Sequence, residues 1–71
     1  MVRNRQQEEE YARVLQARLE SFEQLVSDLT DHLRDLEQDV AMRAQAAIIT
    51  RSLNLAIVHR DRVRIELEEL L

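Results

Sequence analysis

Apolar residues recur in this chain at alternating spacings of four and three, and the series then shifts by one residue. The first series runs from Leu15 to Val40. It should continue at position 43, but that residue is Arg43, and a second series starts one position early at Met42 and runs to Leu70. Such alternation is typical of a coiled-coil seam. The chain is therefore predicted to be helical, with two segments that each pack through an apolar seam.

The apolar members of the two series are predicted to form the seam through which copies of the chain associate. Arg60 also stands at a seam position, either as a side chain that reaches solvent along the bundle surface or as a buried polar residue that sets the register. The predicted seam residues are Leu15, Leu19, Phe22, Val26, Leu29, Leu33, Leu36, Val40, Ala46, Ile49, Leu53, Ala56, Val63 and Leu67.

Composition favours one small all-α domain. The chain has 71 residues and no Gly or Pro, so it lacks the residues that normally end helices or supply positive φ in turns. A chain this short buries too little surface to be comfortably stable alone, and self-association is expected. Residues 1–10 are polar and predicted to fray, whereas residues 11–71 are predicted to form a single helical oligomerisation module.

The second half of the chain is apolar on several sides of the predicted helix. Besides its seam, it carries Ala44, Ile48 and Leu55 on one face and Ala47, Val58 and Ile65 on another. A helix of this kind needs several neighbours. We therefore expect a long helical hairpin that self-associates as an antiparallel coiled coil or four-helix bundle, with one unbroken helix as the alternative.

The position of a turn is left open by the sequence. Residues 27–31 contain polar side chains that compete with helical hydrogen bonding, but the heptad pattern continues through them. The pattern shifts at residues 40–45, which are rich in helix-forming alanine. Residues 50–54 are a third and weaker candidate, because Ile49 and Leu53 keep their spacing.

The sequence offers no constellation suited to catalysis, a cofactor or a metal. There is no Cys. Ser52 and His59 could share a helix face, but no third group orients the histidine as a general base for a serine nucleophile. Asp28, His32 and Asp35 share a helix face, but they lie in a strongly acidic stretch that favours a solvated histidine. We predict a protein that is not an enzyme and holds no metal or cofactor.

Basic residues are concentrated in the second half. Residues 1–40 carry five Arg against ten acids, and residues 41–71 carry five Arg against four acids. At 100° per residue, one polar set in this half spans about a third of the helix circumference and about 28 Å of its length. This face suits phosphates and 2′-hydroxyls along duplex RNA, or it is only a solvated surface. The set consists of Arg43, Thr50, Arg51, Asn54 and Arg62.

Short motifs in the chain resemble a known family. Arg34-Asp35-Leu36 looks like the opening of the long second helix of the nodavirus double-stranded-RNA-binding suppressors of RNA silencing. Residues 51–58, followed by Arg62-Val63, resemble the RNA-facing part of that helix, and residues 15–19 match its first helix more faintly. The resemblance implies a dimer of helical hairpins that binds duplex RNA, with Arg51 as the central phosphate contact. The inter-helix loop and the proline of that family are missing here.

Three functions are consistent with these features. The first is a non-catalytic helical module for self-association and protein–protein interaction. The second is a homodimeric double-stranded-RNA-binding suppressor of RNA silencing, and the third is a small helical co-chaperone that shields another protein's helix. No apolar run approaches the roughly 20 residues that span a bilayer, so no membrane partner and a cytoplasmic location are expected. The predicted partners are a second copy, duplex RNA or helices of another protein.

Overall fold

The computed structural model describes residues 5–70 and shows two long helices packed side by side. Helix α1 runs over Arg5–Glu37 and helix α2 over Arg43–Leu70, with a single 3₁₀ turn, Val40–Met42, between them. The described residues contain no strand. The molecule measures 57 × 16 × 13 Å, as expected for two antiparallel helices. The prediction of an all-α fold is confirmed, and the chain is a hairpin and not an unbroken helix.

The chain reverses direction at Asp39. This residue has an extended backbone (φ −120°, ψ 113°), and its side chain accepts a hydrogen bond from the Ala41 N–H at 2.9 Å. Its own N–H donates to the Leu36 carbonyl at 3.1 Å, and its carbonyl accepts from the Met42 N–H at 3.0 Å. One Asp thus caps the 3₁₀ turn that leads into α2. The turn overlaps residues 40–45, where the heptad pattern shifts.

The other two candidate turns lie inside helices. Residues 27–31 belong to α1, and residues 50–54 belong to α2. The Thr30 hydroxyl donates to the Val26 carbonyl at 2.7 Å, and the Thr50 hydroxyl donates to the Ala46 carbonyl at 2.9 Å. Each threonine hydroxyl is therefore hydrogen-bonded within its own helix, and the helix continues past it.

The first helical turns of α1 are exposed. Residues 5–10 are helical, and Arg5 lies 3.6 Å from the Glu9 carboxylate one turn later. Fraying was predicted for residues 1–10, of which residues 1–4 lie outside the described part of the chain, as does Leu71. The Arg5–Glu9 ion pair joins two exposed side chains, and such pairs contribute little to stability, about 0.5 kcal/mol or less.

The hydrophobic core lies toward the open end of the hairpin, away from the turn. Leu15 is 1% exposed and packs with Leu19 and Leu67, and Ala56 is buried nearer the middle of α2. The remaining apolar seam residues from Phe22 to Leu36 are half-buried, and so are those of α2. The two predicted seams therefore face each other within one chain, and we call this contact the inner seam.

Two residues predicted in the apolar series lie outside the inner seam. Val40 is 77% exposed and Met42 is exposed as well, because both belong to the 3₁₀ turn and no longer follow the helix of α1. Arg60 is half-buried beside the seam, and its guanidinium donates two hydrogen bonds to one oxygen of Asp61 at 3.0 and 3.1 Å. Arg60 thus borders the seam with its charge already paired.

Candidate interaction surface on the outer face of the second helix

A second heptad series runs along α2 on the side that faces away from α1. Its members follow one another at spacings of four and three, as in the inner seam, and all of them are exposed. We call this series the outer stripe. It consists of Ala44, Ile48, Arg51, Leu55, Val58, Arg62, Ile65 and Glu69.

The outer stripe lies almost opposite the inner seam. At 100° per residue, the direction midway between Leu55 and Val58 is about 160° from that midway between Leu53 and Ala56. Leu53 is half-buried and Ala56 is buried, whereas Leu55 and Val58 are 57% and 47% exposed. Helix α2 therefore has two faces with heptad spacing, of which the hairpin covers one.

The apolar part of the outer stripe is large for a solvent-facing surface. Ile48 and Ile65, toward its two ends, are 65% and 55% exposed. With Leu55 and Val58, they form a line of four large apolar side chains about 25 Å long. A contiguous exposed apolar line on a small protein marks an interaction surface more often than isolated apolar residues do.

Charged residues interrupt the stripe at three positions. Arg51 and Arg62 stand among the apolar residues, and Glu69 lies near the end of the helix. Within residues 5–70, the ion pairs are Arg5 with Glu9, Arg34 with Asp31 and Arg60 with Asp61. The three charges of the stripe therefore have no ionic partner in the described part of the hairpin.

The five residues predicted to bind RNA are all exposed on α2, but they divide into two groups. Arg51 and Arg62 belong to the outer stripe. Arg43, Thr50 and Asn54 lie roughly a quarter turn away, on one flank of the stripe. The Thr50 hydroxyl, which is the only donor of that side chain, already donates a hydrogen bond to the Ala46 carbonyl. These residues thus form a basic face that is mixed with apolar side chains.

One edge of the hairpin carries contacts between the two helices. The Tyr11 hydroxyl donates to Glu66 Oε2 at 2.9 Å, and the rings of Phe22 and His59 stack at 5.7 Å between centroids. A shallow groove of about 370 Å³ lies beside this stack, with Arg18 and Arg62 among its lining residues. His59 therefore packs on an aromatic ring of α1.

The acidic residues of α1 do not assemble into a metal site. Asp28, His32 and Asp35 are exposed, and Gln24 donates a hydrogen bond to Asp28 at 2.8 Å. Residues 5–70 hold no group of three or more His, Cys, Asp or Glu side chains placed to bind a metal ion. Within the same residues, neither helix is long and apolar enough to cross a membrane.

The outer stripe was not predicted as one surface from the sequence. Ile48 and Leu55 were assigned to one face and Val58 and Ile65 to another, and Arg51 and Arg62 were assigned to RNA. The signal that identifies the stripe is the spacing of four and three, which holds only when the two arginines are counted as members. No family model, curated protein or solved structure matches the chain. The resemblance to nodavirus suppressors rests on its short motifs and stays a prediction.

Proposed function

We propose that this protein is a non-catalytic helical module that self-associates through the outer stripe of α2. Two hairpins form a four-helix assembly in which the outer stripe of each α2 is covered by the other copy, with the two α2 helices in the middle and the two α1 helices on the outside. The observation that supports this proposal is the exposed heptad series on α2, with Ile48, Leu55, Val58 and Ile65 unburied in the single chain. A heptad seam is complementary to another seam of the same kind.

The size of the hairpin favours a second copy as the partner. The inner seam buries only four residues, namely Leu15, Leu19, Ala56 and Leu67. A domain of this size gains stability from oligomerisation when its own core is small. Covering Leu55, Val58 and Ile65, each about half exposed, contributes roughly 1 kcal/mol per side chain. Dimerisation therefore adds to a hairpin whose internal core is limited.

The proposal is tested by glutamate introduced at two exposed apolar positions. Leu55 lies in the outer stripe, and Val40 lies in the turn, where it is more exposed. Leu55→Glu places a charge in the middle of the proposed interface and is expected to give a monomer, whereas Val40→Glu leaves the dimer intact. Analytical ultracentrifugation measures the mass, and circular dichroism checks that both variants stay helical.

Two results would overturn self-association. One is a wild-type protein that sediments at its monomer mass of 8.4 kDa at about 100 μM. The other is a Leu55→Glu variant that stays dimeric and folded. If the wild type is a monomer that instead forms a defined complex with an added amphipathic helix, the stripe serves another protein, as the co-chaperone hypothesis predicts.

Duplex-RNA binding is the second candidate. The observation that favours it is the exposure of all five predicted residues, from Arg43 to Arg62, along about 28 Å of one helix. Because Arg51 and Arg62 belong to the outer stripe, RNA binding and α2–α2 packing compete for these two side chains. A cytoplasmic location, which silencing suppression requires, stays a prediction.

A gel shift with an RNA duplex of about 25 base pairs and the matching DNA tests the second candidate at two salt concentrations. Salt-sensitive binding of RNA but not DNA supports it. Arg51→Ala should then abolish binding, and Arg13→Ala, at an exposed position on α1, should not. Absence of binding at low salt removes this candidate and leaves self-association untouched.

A further inference from the structure

The charges within the outer stripe constrain how two copies can pair. The stripe contains two bases, Arg51 and Arg62, and one acid, Glu69, and none has an ionic partner within residues 5–70. Charges at the seam of two packed helices determine orientation and register, because like charges repel when water is excluded. The pattern of charges along the stripe therefore distinguishes among the possible pairings.

A parallel pairing in register places like charges together. Each of the three charged residues then faces its own copy, Arg51 against Arg51 and Glu69 against Glu69. An antiparallel pairing removes these self-contacts, because each stripe residue then faces a different residue of the second copy, and the register decides which charges meet. Charge complementarity thus favours antiparallel helices in a register that sets Glu69 against an arginine.

Three antiparallel registers pair at least six of the eight residues of each outer stripe with stripe residues of the second copy. With the two-fold axis between residues 56 and 57, Arg51 faces Arg62 of the second copy, which opposes like charges twice. With the axis beside residue 53, Glu69 lies beyond the end of the partner α2 and Arg51 faces Leu55.

The third register has its axis beside residue 60 and opposes the acid of each stripe to a base of the other. Arg51 then faces Glu69 of the second copy, Arg62 faces the small apolar Val58, and Ile48 lies beyond the end of the partner α2. Asp61, which flanks the stripe near this axis, is already paired with Arg60 at 3.0 Å. The facing pairs are Arg51 with Glu69, Leu55 with Ile65, and Val58 with Arg62.

We infer that two copies pack their outer stripes antiparallel about an axis beside residue 60, with an ion pair from Arg51 of each copy to Glu69 of the other. This inference rests on the proposed self-association and adds its direction, its register and the residues that specify it. The two ion pairs of the dimer lie on either side of the axis, each about 13 Å from it along the helix. They enclose the Leu55–Ile65 contacts between them.

Charge reversal tests the ion pair. Arg51→Glu alone and Glu69→Arg alone each place like charges together and should weaken the dimer about tenfold or more. The double variant Arg51→Glu with Glu69→Arg restores opposite charges and should return the dissociation constant to within about threefold of wild type. Arg64→Glu with Glu68→Arg, at exposed positions outside the stripe, is the matched control and should change little.

Cysteine cross-linking tests the register by an independent measurement, and the chain has no cysteine of its own. A protein carrying Leu55→Cys and Ile65→Cys should oxidise to a covalent dimer, because these positions face each other about the axis beside residue 60. Ile48→Cys with Ile65→Cys would cross-link instead if the axis lay between residues 56 and 57. All three of the replaced side chains are exposed in the hairpin, so folding is preserved.

The outcomes separate this inference from the function on which it rests. A wild-type monomer overturns self-association itself. A wild-type dimer in which the double charge reversal gives no rescue overturns the ion pair, and so does a dimer indifferent to both single reversals. Preferred cross-linking through Ile48→Cys overturns the register while leaving the dimer in place.

Discussion

The inner seam and the outer stripe of α2 have the same heptad spacing, but the inner seam packs against α1 and the outer stripe faces solvent. Leu53 and Ala56 pack toward α1, whereas Leu55 and Val58, only two residues further on, face solvent. The two surfaces differ in composition as well. Arg60, which borders the inner seam, is paired with Asp61, whereas the three charges of the outer stripe have no ionic partner within residues 5–70. The same spacing therefore occurs on a face that packs within the hairpin and on a face that is exposed, and the two faces differ in whether their charges are paired.

The largest expected effect tests the inner seam. Leu15 is the most completely buried side chain of the described residues, at 1% exposure, and it packs against Leu67 across the hairpin. Leu15→Ala should lower the free energy of unfolding by about 2–5 kcal/mol, because it leaves a cavity that two helices cannot fill. Urea unfolding followed by circular dichroism measures the loss. A change below about 1 kcal/mol would contradict the inner seam as the core of the hairpin.

A smaller effect separates the two surfaces directly. Leu53→Ala, on the half-buried side of α2, should destabilise the hairpin by about 1–2 kcal/mol. Leu55→Ala, on the exposed side, should change hairpin stability by less than about 0.5 kcal/mol and weaken self-association several-fold. Unfolding is followed at dilutions where the protein is monomeric, because dimerisation adds to apparent stability. Equal effects of the two changes on unfolding would break the distinction between the surfaces.

The smallest effect concerns the turn that aligns the two seams. Asp39→Ala removes the side-chain acceptor of the Ala41 N–H and should cost about 1 kcal/mol. Asp39→Asn keeps an acceptor at the same place and is the matched control. Thermal unfolding of both variants measures the difference. A loss that Asp39→Asn shares in full would show that the charge, and not the cap, stabilises the turn.

Much of the fold was predictable from the sequence because helix formation and amphipathicity are local. The absence of Gly and Pro and the two heptad series predicted helices, and the shift near Arg43 identified one of three candidate turns. The first predicted series includes Val40, which lies beyond the end of α1 and is exposed, since periodicity alone does not show that α1 ends at Glu37. The reversal depends on hydrogen bonds of a single aspartate, which no repeating pattern encodes.

The candidate site was only partly predictable. Arg51 and Arg62 were chosen as exposed basic residues, and both are exposed on α2. Their membership in an apolar stripe was missed because each occupies a heptad position with a polar side chain. The stripe became visible as one surface only when Ile48, Leu55, Val58 and Ile65 were found uncovered together.

The sequence by itself determined that the chain is helical, which residues of α1 and α2 lie on packing faces, and that the pattern is interrupted near residue 42. Only the tertiary structure decided that the two apolar series meet within one chain and that the outer stripe of α2 is left uncovered. The physical reason is that periodicity specifies the direction in which side chains point, whereas the choice of partner depends on where the chain reverses. That point is Asp39, and the reversal there turns a predicted contact between chains into one within the hairpin.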